Sequence, residues 1–260
     1  MAELLSIAEL VVLASAVGGN GSPWAEGSAL MDLDRPLLVE RLGAAREGLL
    51  LRGLASTRDD GALRVTAPLD GLIGDALSAK VGFEVLHAQA GAPASRVQFG
   101  LAGDSVVAHV WHGIEEHSFE RLASPVEIAA WVMRFAPPHE SPGPSRAYSV
   151  PHAVMTALAK TPPEPADALR AQLVEAGVPT VEADSLLRAG LTPERQSVFM
   201  AMRLGEDRLQ ARALMWFADA QSSWLIGNFD AGGRVELQTA NPAEVERAIA
   251  AVVAATAQRS

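Results

Sequence analysis

The chain has 260 residues, 49% of them hydrophobic and 20% charged, with 31 acidic side chains against 21 basic ones and no cysteine. That length buries a large core without staples, and the lack of cysteine removes disulfides, thiolate nucleophiles and cysteine-type zinc sites. A formal charge of −10, with Lys80 and Lys160 the only lysines and the arginines scattered singly, argues against a nucleic-acid binder or an anionic-lipid binder.

Residues 6–17 read as an amphipathic helix, with Ser6 and Glu9 as a capping box and Gly18-Gly19 as its stop. The apolar run Leu10 to Leu13 before Ala14-Ser15-Ala16 also resembles a secretory signal. Glu3 and Glu9, however, stand where a basic leader belongs, and the first basic residue is Arg35. A cytoplasmic location is therefore expected, with Asn20-Gly21-Ser22 as a plain turn. No run of 18 apolar residues follows, so no membrane insertion is expected. Asp34 caps a helix whose Leu38, Leu42, Ala45 and Leu49 share one face, and Gly53 ends it. A polar turn from Ser56 to Gly61 leads to the extended Leu63-Arg64-Val65 and a second helix over about 68–80. Strands are expected at about 81–89, 95–101, 105–111 and 115–121, turning at Gly100, Gly103 and His112-Gly113.

Prolines 137, 138, 142 and 144 make 137–150 a connector, and the same order of elements then repeats. A short helix spans about 151–160, further helical segments follow, and strands fall at about 196–204, 208–218, 222–228 and 234–239. Closing helices start at Ser124-Pro125-Val126-Glu127 and at Asn241-Pro242-Ala243-Glu244, each with a cap, a proline at the first helical position and a glutamate at the third. Their faces match, Ile128, Val132 and Phe135 against Val245, Ile249 and Val252. Carried back without a gap, that offset sets Phe119 on Glu236, so one strand has to be shifted or bulged. Short connections make antiparallel hairpins. The expected fold is α+β, antiparallel β-meanders with flanking helices in two pseudo-symmetric halves, 1–136 and 151–260, integrated into one domain.

Catalytic signatures are missing: there is no G-x-S-x-G elbow, and Gly18-Gly19-Asn20-Gly21 follows a helix and lacks the lysine of a phosphate loop. No enzymatic activity and no cofactor are expected. Pairing about His112-Gly113 sets His109 roughly opposite His117, which offers two arms of a metal site with Glu115 or Glu116. A solvated hairpin tip explains the same residues. Ala213 to Ala218 is apolar on both faces and needs cover on each side. His109 and Trp111 share a face, and Trp224 shares one with the polar Ser222 and Asn228, an aromatic-plus-polar mixture enriched in protein interfaces. The candidate partner-binding residues are His109, Trp111, Trp216 and Trp224, with burial under the chain's own helices as the alternative.

The run Leu49-Leu50-Leu51-Arg52-Gly53-Leu54, followed by a polar turn, Gly61-Ala62-Leu63-Arg64-Val65 and a helix bearing Leu69 and Leu72, resembles the N-terminal pattern of the EspG family of type VII (ESX) secretion chaperones. The late hairpin and the N-P-A-E helix are similar to that family's C-terminal end. The resemblance implies a mixed α/β fold with pseudo-two-fold halves, no catalysis, and recognition of a helical PE/PPE-like substrate through the sheet and C-terminal helices. A small-ligand or regulatory module with a pocket at the junction of the halves is the alternative function.

Overall fold

The structure is a computed structural model and describes residues 3–18, 29–113, 115–140, 145–158, 165–204, 209–229 and 233–258. The Asn20 sequon and the loop at Gly19 to Gly21 lie outside the described residues. In chain order the elements are β1 (Leu5–Ser6), α1 (Ile7–Ala16), a 3-10 turn (Ala29–Asp32), α2 (Arg35–Leu51), β2 (Ala55–Thr57), β3 (Leu63–Val65), α3 (Leu69–Ser78), β4 (Val81–Gln89), β5 (Ser95–Ala102), β6 (Ser105–His112), β7 (Glu116–Leu122) and α4 (Glu127–Phe135). There follow β8 (Ala147–Pro151), α5 (His152–Leu158), α6 (Ala166–Glu175), α7 (Thr180–Leu191), β9 (Arg195–Leu204), β10 (Leu209–Ala218), β11 (Ser223–Phe229), β12 (Arg234–Thr239) and α8 (Pro242–Ala257). The fold is α+β, and none of its described helices is long and apolar enough to cross a membrane.

Two compact units emerge, one of residues 1–82 and 95–125, the other of 83–94 and 126–260. These contact boundaries fall at 82/83, 94/95 and 125/126, ahead of the 137–150 segment. Most of β4, and all of α4, join the second unit, because α4 packs on α8.

In the first unit the antiparallel order is β1-β7-β6-β5, and α1 to α3 bury Leu10, Leu13, Leu49 and Ile73 against Val107 and Phe119. The capping box of α1 is present in both directions: the Ser6 amide donates to Glu9 Oε2 at 2.8 Å and the Glu9 amide to Ser6 Oγ at 3.2 Å. Helix α2 stops at Gly53, whose φ of 69° suits glycine. The Gly53 N–H reaches Leu50 C=O at 3.1 Å, and the Leu54 N–H reaches Leu49 C=O at 2.9 Å. Arg52, at this stop, donates to Glu9 Oε1 at 3.0 Å, Glu3 Oε2 at 2.9 Å and the Leu4 carbonyl at 2.7 Å. The R-G-L step is thus a joint that ties the end of α2 to β1 and the start of α1.

In the second unit the order is β4-β9-β10-β11-β12-β8. Helices α5 to α7 cover one face, burying Phe217, Trp224, Ile226, Val235 and Leu237. Helix α8 lies across β9 and β10. Asn241 and Glu244 complete its capping box at 2.9 and 3.1 Å. The matching start at Ser124 does not form: α4 begins only at Glu127, after a turn at Pro125-Val126, with Val126 at its cap and no side-chain bond. On α8 the third core position is Val253, buried, while Val252 is half-buried, because the helix sets its core contacts at every fourth residue. A register shift falls between Gly227 and Phe229 of β11, opposite Glu236 and Val235.

Among the described residues, three strands lie outside the expected elements: β2, which starts the expected polar turn as a strand paired with β3, Ser56 opposite Arg64, and the edge strands β1 and β8. The connector's end pairs with β12, Tyr148 against Leu237 and Val150 against Val235, and the proline closes the strand at its last residue, where an edge tolerates it. In each run the strand preceding the first helix pairs antiparallel with the last strand of the meander, β1 with β7 and β8 with β12.

Candidate partner-binding face

The four aromatic candidates separate by burial. Trp216 and Trp224 are 1% and 0% exposed, and each indole N–H has an internal partner, the Ala136 carbonyl at 3.2 Å and Ser185 Oγ at 3.2 Å respectively. His109 is 2% exposed. These three of the candidate partner-binding residues are buried in the chain by itself. They sit inside because their strands are covered by the chain's own elements. Trp111 alone is partly exposed.

The hairpin of β6 and β7 packs its rings tightly. His109 stacks on Phe119 at 4.4 Å and 7°, lies 3.7 Å from the Trp111 ring, and its Nε2 bonds His117 Nδ1 at 3.0 Å. The Arg96 guanidinium stands 4.6 Å from the Trp111 ring centroid. Trp111 pairs with His117, and His109 with Phe119, two residues from the expected register, because the turn takes up the residues between His112 and Glu116. His112 bonds Ser118 Oγ at 2.8 Å. Burial above all, then electrostatic repulsion by the neighbouring His117, Arg96 and His112, pushes the His109 pKa down to about 2. Among the described residues no three His, Asp or Glu side chains are grouped to hold a metal. The first unit also has a cleft of about 450 Å³, lined by Leu30, Leu33 and Leu37 with Glu40, Arg41 and Glu115 at its rim.

Among the described residues, a partly exposed apolar strip lies on the second unit's sheet. Alternation along β9 sends Ser197, Phe199 and Ala201 inward, where Phe199 stacks on Phe83 at 5.9 Å and Ser197 Oγ bonds His87 Nδ1 at 2.8 Å. The other face carries Val198, Met200 and Met202, paired with Met215, Ala213 and Ala211 of β10. Helices α5 to α7 cover that face over Phe217 and onward through β11 and β12. Short of Phe217 the cover thins: Val198, Met200, Met202 and Met215 are only partly buried, and Ala211 and Ala213 are exposed. On β4 the same alternation adds Leu86, 41% exposed, and Glu84, buried. Gln196 borders the strip and donates to Met215 Sδ at 3.5 Å. Three strands at about 4.8 Å spacing span about 10 Å between their outer axes, close to the diameter of one helix. Partly exposed apolar side chains set side by side on adjacent strands make this strip a candidate interaction surface.

The aromatic criterion passed over these residues. The available signal was the run Val198-Phe199-Met200-Ala201-Met202, apolar on both faces like Ala213 to Ala218. Such a run demands cover on two sides, and here the chain supplies it fully on one.

No family model matches this chain, and no curated protein matches its sequence. Among solved structures it is similar to the Mycobacterium tuberculosis type VII secretion system chaperone EspG5, determined in complex with a PE25-PPE41 dimer. The TM-score is 0.71 at 13% sequence identity, over 96% of this chain and 94% of that one. The chain therefore has the α+β fold of the EspG5 chaperone along nearly its whole length.

Proposed function

We propose that this protein is a cytoplasmic chaperone of type VII secretion that binds a helical PE/PPE-like substrate and keeps its apolar tip out of water. Its action is burial, with no bond made or broken, and the repeated order of strands and helices reflects an internal duplication. The observation that carries this reading is the partly exposed strip of Met200, Met202, Met215, Ala213, Val198 and Leu86, wide enough for one helix, in a fold shared with a chaperone determined with a PE-PPE dimer. Trp111 is a secondary candidate in the first unit, being the accessible member of the aromatic set.

The test is co-purification of the chain with the PE-PPE-type pairs of its own host. Met200→Arg places a charge on the strip without entering the core, so capture is expected to fall on the order of a hundredfold, as for a desolvated unpaired charge, while the circular dichroism melt stays near wild type. Full capture by the variant overturns the assignment of the strip.

A further inference from the structure

Every sulfur atom in this protein belongs to methionine, seven in all, with no cysteine to intercept an oxidant. Three of the seven, Met200, Met202 and Met215, are gathered on the strip and partly exposed, Met215 at the edge where the strip meets the second unit's core. Met200 and Met202 follow each other on one face of β9, about 6.6 Å apart along the strand, and Met215 lies across from Val198 on β10. Of the other described methionines, Met155 is in the second unit's core at 9% exposure and Met133 is partly exposed on α4. A thioether suits an apolar docking surface because it is flexible and polarisable. The same atom takes an oxygen from a peroxide: the sulfur lone pair attacks one peroxide oxygen, the O–O bond breaks, and hydrogen peroxide leaves as water. The sulfur is oxidised by two electrons to the sulfoxide, and sulfoxide reductases reverse the change.

We propose that Met200, Met202 and Met215 form a reversible oxidation site. Peroxide turns the strip polar and closes it to an apolar helix, and reduction reopens it. The regulatory consequence rests on the docking function proposed above. The chemistry rests only on the clustering and accessibility of the three thioethers. A docked apolar helix has to strip water from every sulfoxide oxygen beneath it and offers no donor in return.

The test uses the full chain, hydrogen peroxide as oxidant, peptide mass mapping, and fluorescence of anilinonaphthalene sulfonate as an apolar-surface probe that needs no partner. Oxygen is expected at Met200, Met202 and Met215 well before Met155. The dye signal should fall, and capture of a PE-PPE-type pair should weaken on the order of tenfold or more. Methionine sulfoxide reductases A and B together should restore both. The volume-conserving variant M200L/M202L/M215L, compared with itself before treatment, should show no change in dye signal or in whatever capture it retains, even with Met133 oxidised. Equal oxidation rates at Met155 and Met200, or an unchanged dye signal in the oxidised wild type, overturns the proposal. Failure of the reduced wild type to capture any pair sinks the docking function instead, while mass mapping and dye still decide the oxidation site.

Discussion

Acid should loosen the first unit through the buried imidazole of His109. His109 is held neutral in the fold, with a pKa of about 2 against an ordinary 6.5. A histidine with a lowered folded pKa leaves stability complete above its ordinary value. Stability is lost as pH falls below that value, because the unfolded chain binds a proton that the folded chain refuses. At pH 5 the gap from 6.5 is about 1.5 units, and at 1.36 kcal/mol per unit the loss from this residue is about 2 kcal/mol relative to pH 7. Groups facing the ring are Arg96 from β5, His112 on its own strand and His117 from β7. His87 in the second unit is also lowered, by burial and then by the charge of Arg195, and adds a background of the same sign. The carboxyls of Asp75 and Asp219 are lowered from 3.8 and titrate below this window. The comparison that isolates His109 is His109→Phe, which keeps the ring stack on Phe119 and removes the proton site. Urea midpoints at pH 7 and pH 5 give the two losses. The wild type should lose about 2 kcal/mol more than the variant, whatever their absolute stabilities, and equal losses would refute the reasoning.

Two further substitutions test the framework. Arg52→Ala removes three bonds at the joint between α2, β1 and α1 and leaves Glu9, whose side chain is 10% exposed, without its cation. Because the Arg52 side chain is itself 37% exposed, the expected loss after solvent screening is about 1–2 kcal/mol, read as a lower urea midpoint. Arg52→Lys should recover only part of it, since one ammonium does not reproduce the planar fork. Trp216→Glu buries a charge in the second unit's core and is expected to cost more than about 4 kcal/mol, so thermal melting should show an unfolded unit. A folded Trp216→Glu that merely loses its partner would return Trp216 to the docking surface.

The long meander strands were legible because they are bounded by turn residues and carry apolar runs; β4 and β12 fall on the residues expected of them. Helix starts were legible where a side chain alone makes the cap, as at Ser6, Asp34 and Asn241. Ser124-Pro125-Val126-Glu127 has the same letters without the cap, since the packing of Ile128 and Val132 sets where that helix begins. Strands β1 and β8 are too short to show a period, and only their pairing with β7 and β12, more than eighty residues away in each case, makes them strands. The site was the least legible part. Aromatic residues are enriched both in interfaces and in cores, and the difference between Trp216 and Met200 lies in how far α5 to α7 reach across the sheet. No local pattern records that reach.

The central claim is that the open strip of β9 and β10 is where a helical partner lies. Methyl-labelled methionine observed by NMR addresses it directly, because three of the seven methionines sit on the strip and Met155 sits in the core. On adding a PE-PPE-type pair, the methyl signals of Met200, Met202 and Met215 should shift or broaden while that of Met155 holds its place. A complex that forms with those three signals unmoved would contradict the account.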